Sequence, residues 1–85
     1  MLYIKEISEN HKKAKVIYSI EREDIEFIWD IKTIKKAIEN GHQYKTVFVK
    51  NGKLVEGNNV IIHNNFLTTE KNEKIEDNLN ELSRF

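Results

Sequence analysis

Hydrophobic and polar residues alternate along much of this chain, which is the periodicity of β-strands with one buried face. Residues 2–8 form one such run, and residues 14–20 form a second, in which Val16, Tyr18 and Ile20 alternate with Lys15, Ile17 and Ser19. Polar and charged residues 9–13 separate the two runs. We therefore predict a β-hairpin with a charged tip at the start of the chain.

The spacing of apolar residues changes from that of a strand to that of a helix near residue 30. Alternation over residues 25–30 predicts a third short strand. Beyond it, Ile31, Ile34 and Ile38 recur on one helix face, while lysines and a glutamate occupy the opposite face. The pattern predicts one amphipathic helix.

Residues that favour helix ends bound this segment. Asp30 is placed to accept a hydrogen bond from a free amide of the first turn, and Asn40-Gly41 can adopt the left-handed conformation common after the last turn. An isolated helix of about ten residues is marginal in water. We therefore expect this helix to lie on a sheet.

The second half of the chain reads as a series of short strands. Residues 44–50 are the strongest strand, and Asn51-Gly52 is the strongest hairpin signal in the sequence. The segments that follow are a return strand at 53–56, a turn at 57–59, a strand at 60–63, a turn at 64–65 and a strand at 66–69. Short connections of this kind favour antiparallel pairing.

The C-terminal tail holds a second cluster of polar and apolar residues. Asp77 is placed to cap a short helical turn, Asn78 to bond free backbone, and Leu79 and Leu82 to pack on the body of the domain. A catalytic interpretation would make Asp77 a general base. No nucleophile, histidine or second carboxylate has a fixed spacing to it, so we expect a structural tail.

These elements define the expected fold. We predict a single small domain over residues 1–85, of the α+β class. Its sheet is expected to be mostly antiparallel, a meander of about five or six short strands, with a single helix packed on one face.

Two C-terminal segments carry a resemblance to a known family. Residues 66–69 (Phe-Leu-Thr-Thr) and 77–82 (Asp-Asn-Leu-Asn-Glu-Leu) resemble the end of an uncharacterised family of small bacterial domains, a domain of unknown function. That family ends in an aromatic-Leu-Arg-Thr strand, a polar turn and an Asp-Asn-Leu-x-x-Leu-Pro tail. Here Thr68, Glu73 and Ser83 replace its Arg, turn Gly and Pro. The resemblance implies a fold and assigns no activity, cofactor or catalytic residue.

Composition narrows the classes of function. Fourteen basic residues balance fourteen acidic ones, whereas nucleic-acid-binding domains usually carry a basic excess. There is no cysteine, which excludes disulfides, thiolate metal ligands and a cysteine nucleophile. The chain also has no apolar run of the roughly 20 residues that cross a bilayer. We expect a cytoplasmic protein of bacterial or phage origin.

The sequence gives little support for a catalytic or metal-binding site. The histidines do not share the short spacing of zinc sites, and the acidic residues lack the pattern of a calcium loop. The residues considered are His11, His42, His63, Glu21, Glu23, Asp24, Glu26 and Asp30. We predict no catalytic residue, no metal site and no cofactor, and therefore no enzyme activity.

The strand at residues 44–50 is apolar on both faces, which is typical of a strand buried on one side and covered by a partner on the other. The residues expected at such an interface are Tyr44, Thr46, Val47, Phe48 and Val49. The leading hypothesis is a small protein-interaction or accessory module. Its partner is another protein or a second copy, bound through a sheet face or an edge strand.

The alternative hypothesis is a nucleic-acid-binding domain that uses its basic hairpin tip or helix face. Its expected phosphate contacts are Lys12, Lys13, Lys15, Lys32, Lys35 and Lys36. A stacking platform for bases would come from the aromatic residues Phe27, Trp29, Tyr44, Phe48 and Phe66, which at strand spacing also suit a core.

Overall fold

The structure is a computed structural model and describes residues 1–71, 74–76, 79 and 82–85. Helix α1 spans Ile31–Glu39, and a short 3-10 turn spans Ile20–Arg22. The strands, in chain order, are β1 Leu2–Ile7, β2 Lys13–Ile17, β3 Glu26–Asp30, β4 Tyr44–Lys50, β5 Lys53–His63, β6 Phe66–Lys71, β7 Lys74–Glu76 and β8 Ser83–Arg84.

The strands form one mixed sheet in the spatial order β3-β2-β1-β4-β5-β6-β7, with β8 beside β1. Among the described residues, five pairings are antiparallel and two, β1 with β4 and β1 with β8, are parallel. Within the described residues, the α+β class, one α-helix and the mostly antiparallel sheet are therefore confirmed. The meander of five or six strands was only approximate, because α1 carries the chain from β3 back across the sheet and allows β4 to pair in parallel with β1.

The hydrophobic core lies between α1 and one face of the sheet. Ile34 of the helix is fully buried against Ile4, Val16 and Val60, and Tyr44 is buried beside them. A β-bulge at residue 5 of β1 keeps both Ile4 and Ile7 on this face. We call this side of the sheet the helix-bearing face.

The predicted turn at residues 57–59 is wrong, because β5 runs through it without interruption. Gly57 and Asn58 instead form a bulge opposite Thr46 of β4. The Asn58 amide donates to the Thr46 hydroxyl over 3.1 Å, and a Cβ on residue 57 would overlap that hydroxyl. The glycine is present because β4 and β5 approach closely, not because the chain reverses.

Two further predictions, for the end of the second strand and for the start of the helix, differ from the structure. The strand predicted at residues 14–20 ends at Ile17, since the Ser19 hydroxyl accepts the Glu21 amide and begins the 3-10 turn. Asp30 does occupy the N-cap of α1, but its carboxylate makes no cap hydrogen bond. The first helical amide, that of Ile31, donates instead to the carbonyl of Lys12 over 2.8 Å.

Two leucines of the C-terminal tail lie in the core. Leu79 and Leu82 are buried within the main cluster, and Arg84 donates to the carbonyls of both leucines over 3.2 Å. The predictions for Asp77 and Asn78, and the short helical turn they would begin, lie outside the described residues.

Candidate functional site

One groove brings together three segments that are distant in sequence. The tip of the β1–β2 hairpin, the first turns of α1 and the turn between β5 and β6 enclose about 550 Å³. We call it the basic groove, and its lining residues are His11, Lys12, Lys13, Asp30, Ile31, Lys32, Lys35, Asn65, Phe66 and Leu67.

The hairpin tip holds its lysines in a defined conformation. The Ser8 hydroxyl oxygen accepts the amides of Lys12 and Lys13 over 3.1 and 3.0 Å, and this hydroxyl donates to the Asn10 side chain over 2.6 Å. His11 takes a left-handed backbone conformation with φ 58°. Because Lys12 also bonds the start of α1 through its carbonyl, the tip and the helix are fixed to each other.

The opposite wall of the groove comes from the β5–β6 turn. Asn64 and Asn65 both adopt positive φ, 51° and 67°, which asparagine tolerates better than most residues. The Lys35 ammonium donates to the Asn65 carbonyl over 2.6 Å and to its side-chain oxygen over 3.2 Å. The next residue, Phe66, is left 73% exposed at the rim.

The groove is positively charged. Four lysines face one carboxylate, that of Asp30. Among residues 1–71 and the few described beyond them, no carboxylate forms an ion pair with Lys12, Lys13 or Lys32. The balanced total charge of the chain therefore conceals a local basic site.

The predicted phosphate contacts divide into two groups. Lys12, Lys13, Lys32 and Lys35 converge on the basic groove, whereas Lys15 and Lys36 do not line it. Lys15 lies on the face of the sheet opposite the helix, 3.0 Å from a Glu6 carboxylate oxygen. That hydrogen bond raises the pKa of Lys15.

A second surface follows the edge of the sheet at β3. Phe27 and Trp29 pair with core residues of β2, so both side chains lie on the helix-bearing face. The Phe27 ring stacks edge-on to Tyr18 with centroids 5.1 Å apart and lies 6.3 Å from the Trp29 ring. Ile28 points to the other face and is 55% exposed. We call this set, Tyr18 and residues 27–29, the edge stripe.

The edge stripe was not anticipated from the sequence, where strand alternation assigned Phe27 and Trp29 to the core. Only Trp29 packs against the core, while Phe27 and Tyr18 are exposed. The one sequence signal was the simultaneous apolar character of Phe27 and Ile28 on opposite faces of a short strand. Such a strand cannot bury both faces at a sheet edge.

The interface predicted on β4 is largely internal. Tyr44, Thr46 and Val47 are buried. Tyr44 packs in the core cluster on the helix-bearing face, whereas Val47 lies on the other face of β4. They are therefore unavailable to a partner, and only Phe48 and Val49 of the predicted set are exposed. Those two line a smaller groove of about 320 Å³ with Leu54 and Leu82.

The face opposite the helix carries a polar network. The Tyr3 hydroxyl donates to one Glu56 oxygen over 2.8 Å, and the Lys45 ammonium lies 3.3 Å from the other. The Tyr3 hydrogen bond and the Lys45 charge lower the pKa of Glu56, and the same hydrogen bond raises the pKa of Tyr3. Burial raises the pKa of Tyr44 on the helix-bearing face, so its phenol stays neutral.

The remaining sequence candidates are separated. His11 lies at the hairpin tip, His42 follows α1 and His63 ends β5, all exposed. Asp24 pairs with Arg22 at 3.3 Å, and Glu26 lies 3.4 Å from Lys5. Among the described residues no group of histidines and carboxylates could hold a metal ion.

In the part of the chain that the structure describes, no helix has both the length and the apolar character needed to cross a membrane.

Comparisons with family models, with curated proteins and with solved structures find no match for this chain. The resemblance to the uncharacterised bacterial family therefore stays a prediction.

Proposed function

We propose that this chain is a protein-binding module, without catalytic activity of its own, that takes an extended segment of another protein along the outer edge of β3. The observation that carries the proposal is that β3 ends the sheet while its Phe27 and Ile28 side chains stand exposed on opposite faces. An edge strand offers unpaired backbone donors and acceptors to an added strand.

The edge stripe would add apolar side-chain contacts to the backbone hydrogen bonds of such a complex. Tyr18 and Phe27 extend the apolar helix-bearing face beyond the core, and a partner side chain placed there would remove their rings from water. Ile28 offers a second contact on the other face. Alternate side chains of one added strand would therefore meet apolar surface on both sides of the sheet.

The charge beside β3 indicates the chemistry of the partner. Exposed carboxylates precede and bound the strand, at Glu21, Glu23, Asp24 and Asp30, and Arg22 is engaged by Asp24. A segment with an apolar centre and basic residues at the end that meets Glu21, Glu23 and Asp24 complements this edge. The proposal also includes a cytoplasmic location, which the absence of cysteine favours, and a bacterial or phage origin.

A displayed library of random peptides of about ten residues, roughly twice the length of an average strand, tests the proposal. We expect the selected peptides to alternate apolar residues and to carry lysine or arginine at the end that meets residues 21–24. Ile28→Lys should weaken binding of a selected peptide by about tenfold or more, because a lysine on an edge strand blocks pairing.

Val49→Lys is the matched control, since Val49 is a still more exposed strand residue, at 69%, and lies outside β3. The control should retain the affinity of the unaltered protein. Selected peptides that bind Ile28→Lys and Val49→Lys equally well would contradict the proposal.

A further inference from the structure

We propose that the basic groove binds single-stranded nucleic acid, with the phosphates of the strand on its lysines and one base stacked on Phe66. This site is separate in chemistry from the edge stripe, which is apolar and flanked by carboxylates. The proposal does not depend on the peptide-binding function of β3.

The lysines come from two elements that are fixed to each other. Lys12 and Lys13 sit on the hairpin tip held by the Ser8 hydroxyl, and Lys32 and Lys35 lie one helical turn apart on α1. The 2.8 Å bond from the Ile31 amide to the Lys12 carbonyl joins the two elements. The backbone segments that carry these lysines are thus held in place before any ligand arrives, which reduces the entropy lost on binding.

A phosphate backbone suits this arrangement better than an isolated anion does. The lysines are spread around a groove of about 550 Å³ instead of meeting at one point, and Lys35 already donates to the Asn65 carbonyl. Lys12, Lys13 and Lys32 remain to contact successive phosphates. Each neutralised phosphate contributes affinity by releasing counterions.

Phe66 selects a single strand over a duplex. Its ring is 73% exposed at the rim of the groove, and no apolar side chain of the main core cluster buries it. Proteins that bind single strands combine a basic groove with an exposed aromatic ring on which a base stacks. The bases of a duplex are already stacked on one another and cannot reach the ring without unpairing.

The test is a fluorescence-anisotropy titration of a labelled thymidine oligonucleotide with the unaltered chain, at 50 mM and 200 mM salt. If three phosphates are contacted, the affinity should fall roughly twentyfold over that fourfold change in salt. Phe66→Ala should weaken binding by about fivefold or more through the loss of base stacking. Because Phe66 is exposed, this substitution leaves the core unchanged.

Charge reversal provides the matched comparison. Lys12→Glu/Lys32→Glu should reduce affinity by about tenfold or more at 50 mM salt, because two phosphate contacts become repulsive. A glutamate at position 32 lies in the first turn of α1, where a negative charge favours the helix. The control Lys50→Glu/Lys53→Glu makes the same change in total charge at the exposed β4–β5 turn and should bind nearly as the unaltered protein does.

Three results would overturn the proposal. The first is the absence of binding at 50 mM salt. The second is an equal loss of affinity in the groove variant and in the control at the β4–β5 turn, which would indicate attraction by total charge alone. The third is binding of duplex DNA as tightly as the single strand together with no effect of Phe66→Ala, which would remove the stacking role.

Discussion

At the scale of single residues, Gly57 and Thr46 decide how the two longest strands pair. The bulge formed by Gly57 and Asn58 keeps β4 and β5 in register on either side of it. The Thr46 hydroxyl fills the space where a side chain of residue 57 would lie. A glycine read from sequence as a turn signal is therefore a packing requirement inside a strand.

Gly57→Ala should destabilise the fold by about 1–3 kcal/mol, because the added methyl group displaces the Thr46 side chain in a closely packed pair of strands. Urea denaturation followed by circular dichroism measures the loss. Thr46→Ala/Gly57→Ala should recover part of it, giving a coupling energy of about 0.5 kcal/mol or more. Simple addition of the two single effects would show that the overlap is not the cause.

Glu56 gives a prediction about pH. Because the folded protein holds the pKa of Glu56 below its ordinary value, the carboxylate stabilises the fold above its unfolded pKa. That contribution is lost as the pH falls through the lower, folded pKa. The stability difference between the unaltered chain and Glu56→Gln should therefore be larger near pH 6 than near pH 3. A stability difference that stays constant with pH would contradict the lowered pKa of Glu56 in the folded protein.

The two groups of lysines show what residue patterns can and cannot reveal. Lys15 alternates with the buried Ala14 and Val16, so strand periodicity alone could have placed it on the face opposite the helix. The convergence of Lys12 with Lys35 could not be read in this way. It depends on a backbone contact between the hairpin tip and α1, and periodicity carries no information about such a contact.

At the scale of elements, those with a strong local signal were predicted well. The isoleucine spacing and the Asn40-Gly41 end placed α1 correctly, and Gly41 does adopt a positive φ of 94°. The Asn51-Gly52 hairpin is also correct, with both residues left-handed. Local chemistry determines such ends, whereas the extent of β5 depends on its neighbour β4.

The tail is expected to be part of the core and not an appendage. Leu82→Ala should cost about 2–5 kcal/mol, because it leaves a cavity beside Ile4 and Ile7 in the main cluster. Val49→Ala, at an exposed strand position, should change stability by less than about 0.5 kcal/mol. Thermal or urea unfolding compares the two, and equal effects would contradict the buried role of the tail.

At the scale of the whole molecule, the order of strands in the sheet could not be predicted from the sequence. The parallel pairing of β1 with β4 joins residues far apart in the chain, and it forms because α1 crosses the sheet between them. Alternation reports which face of a strand is buried but not which strand lies beside it. The sheet edge at β3, and with it the edge stripe, follows from that order.

The charges on β3 predict that the chain does not pair with itself along this edge. In the antiparallel register that matches all five residues of two β3 strands, Glu26 would lie opposite Asp30 of the second copy. Like charges directly opposite each other destabilise a strand pair. Sedimentation velocity should therefore show a monomer. A dimer that Ile28→Lys abolishes would instead show that β3 pairs with a second copy of this chain and not with a different protein.

Backbone amide exchange, measured by nuclear magnetic resonance with and without a selected peptide, tests the central claim most directly. If β3 receives an added strand, its outward-facing amides within Glu26–Asp30 should become protected when the peptide is bound, because they gain hydrogen-bond acceptors. Amides lining the basic groove at Lys32 and Phe66 should keep their exchange rates. Protection confined to the basic groove or to Phe48 and Val49, with β3 exchanging as before, would contradict the account.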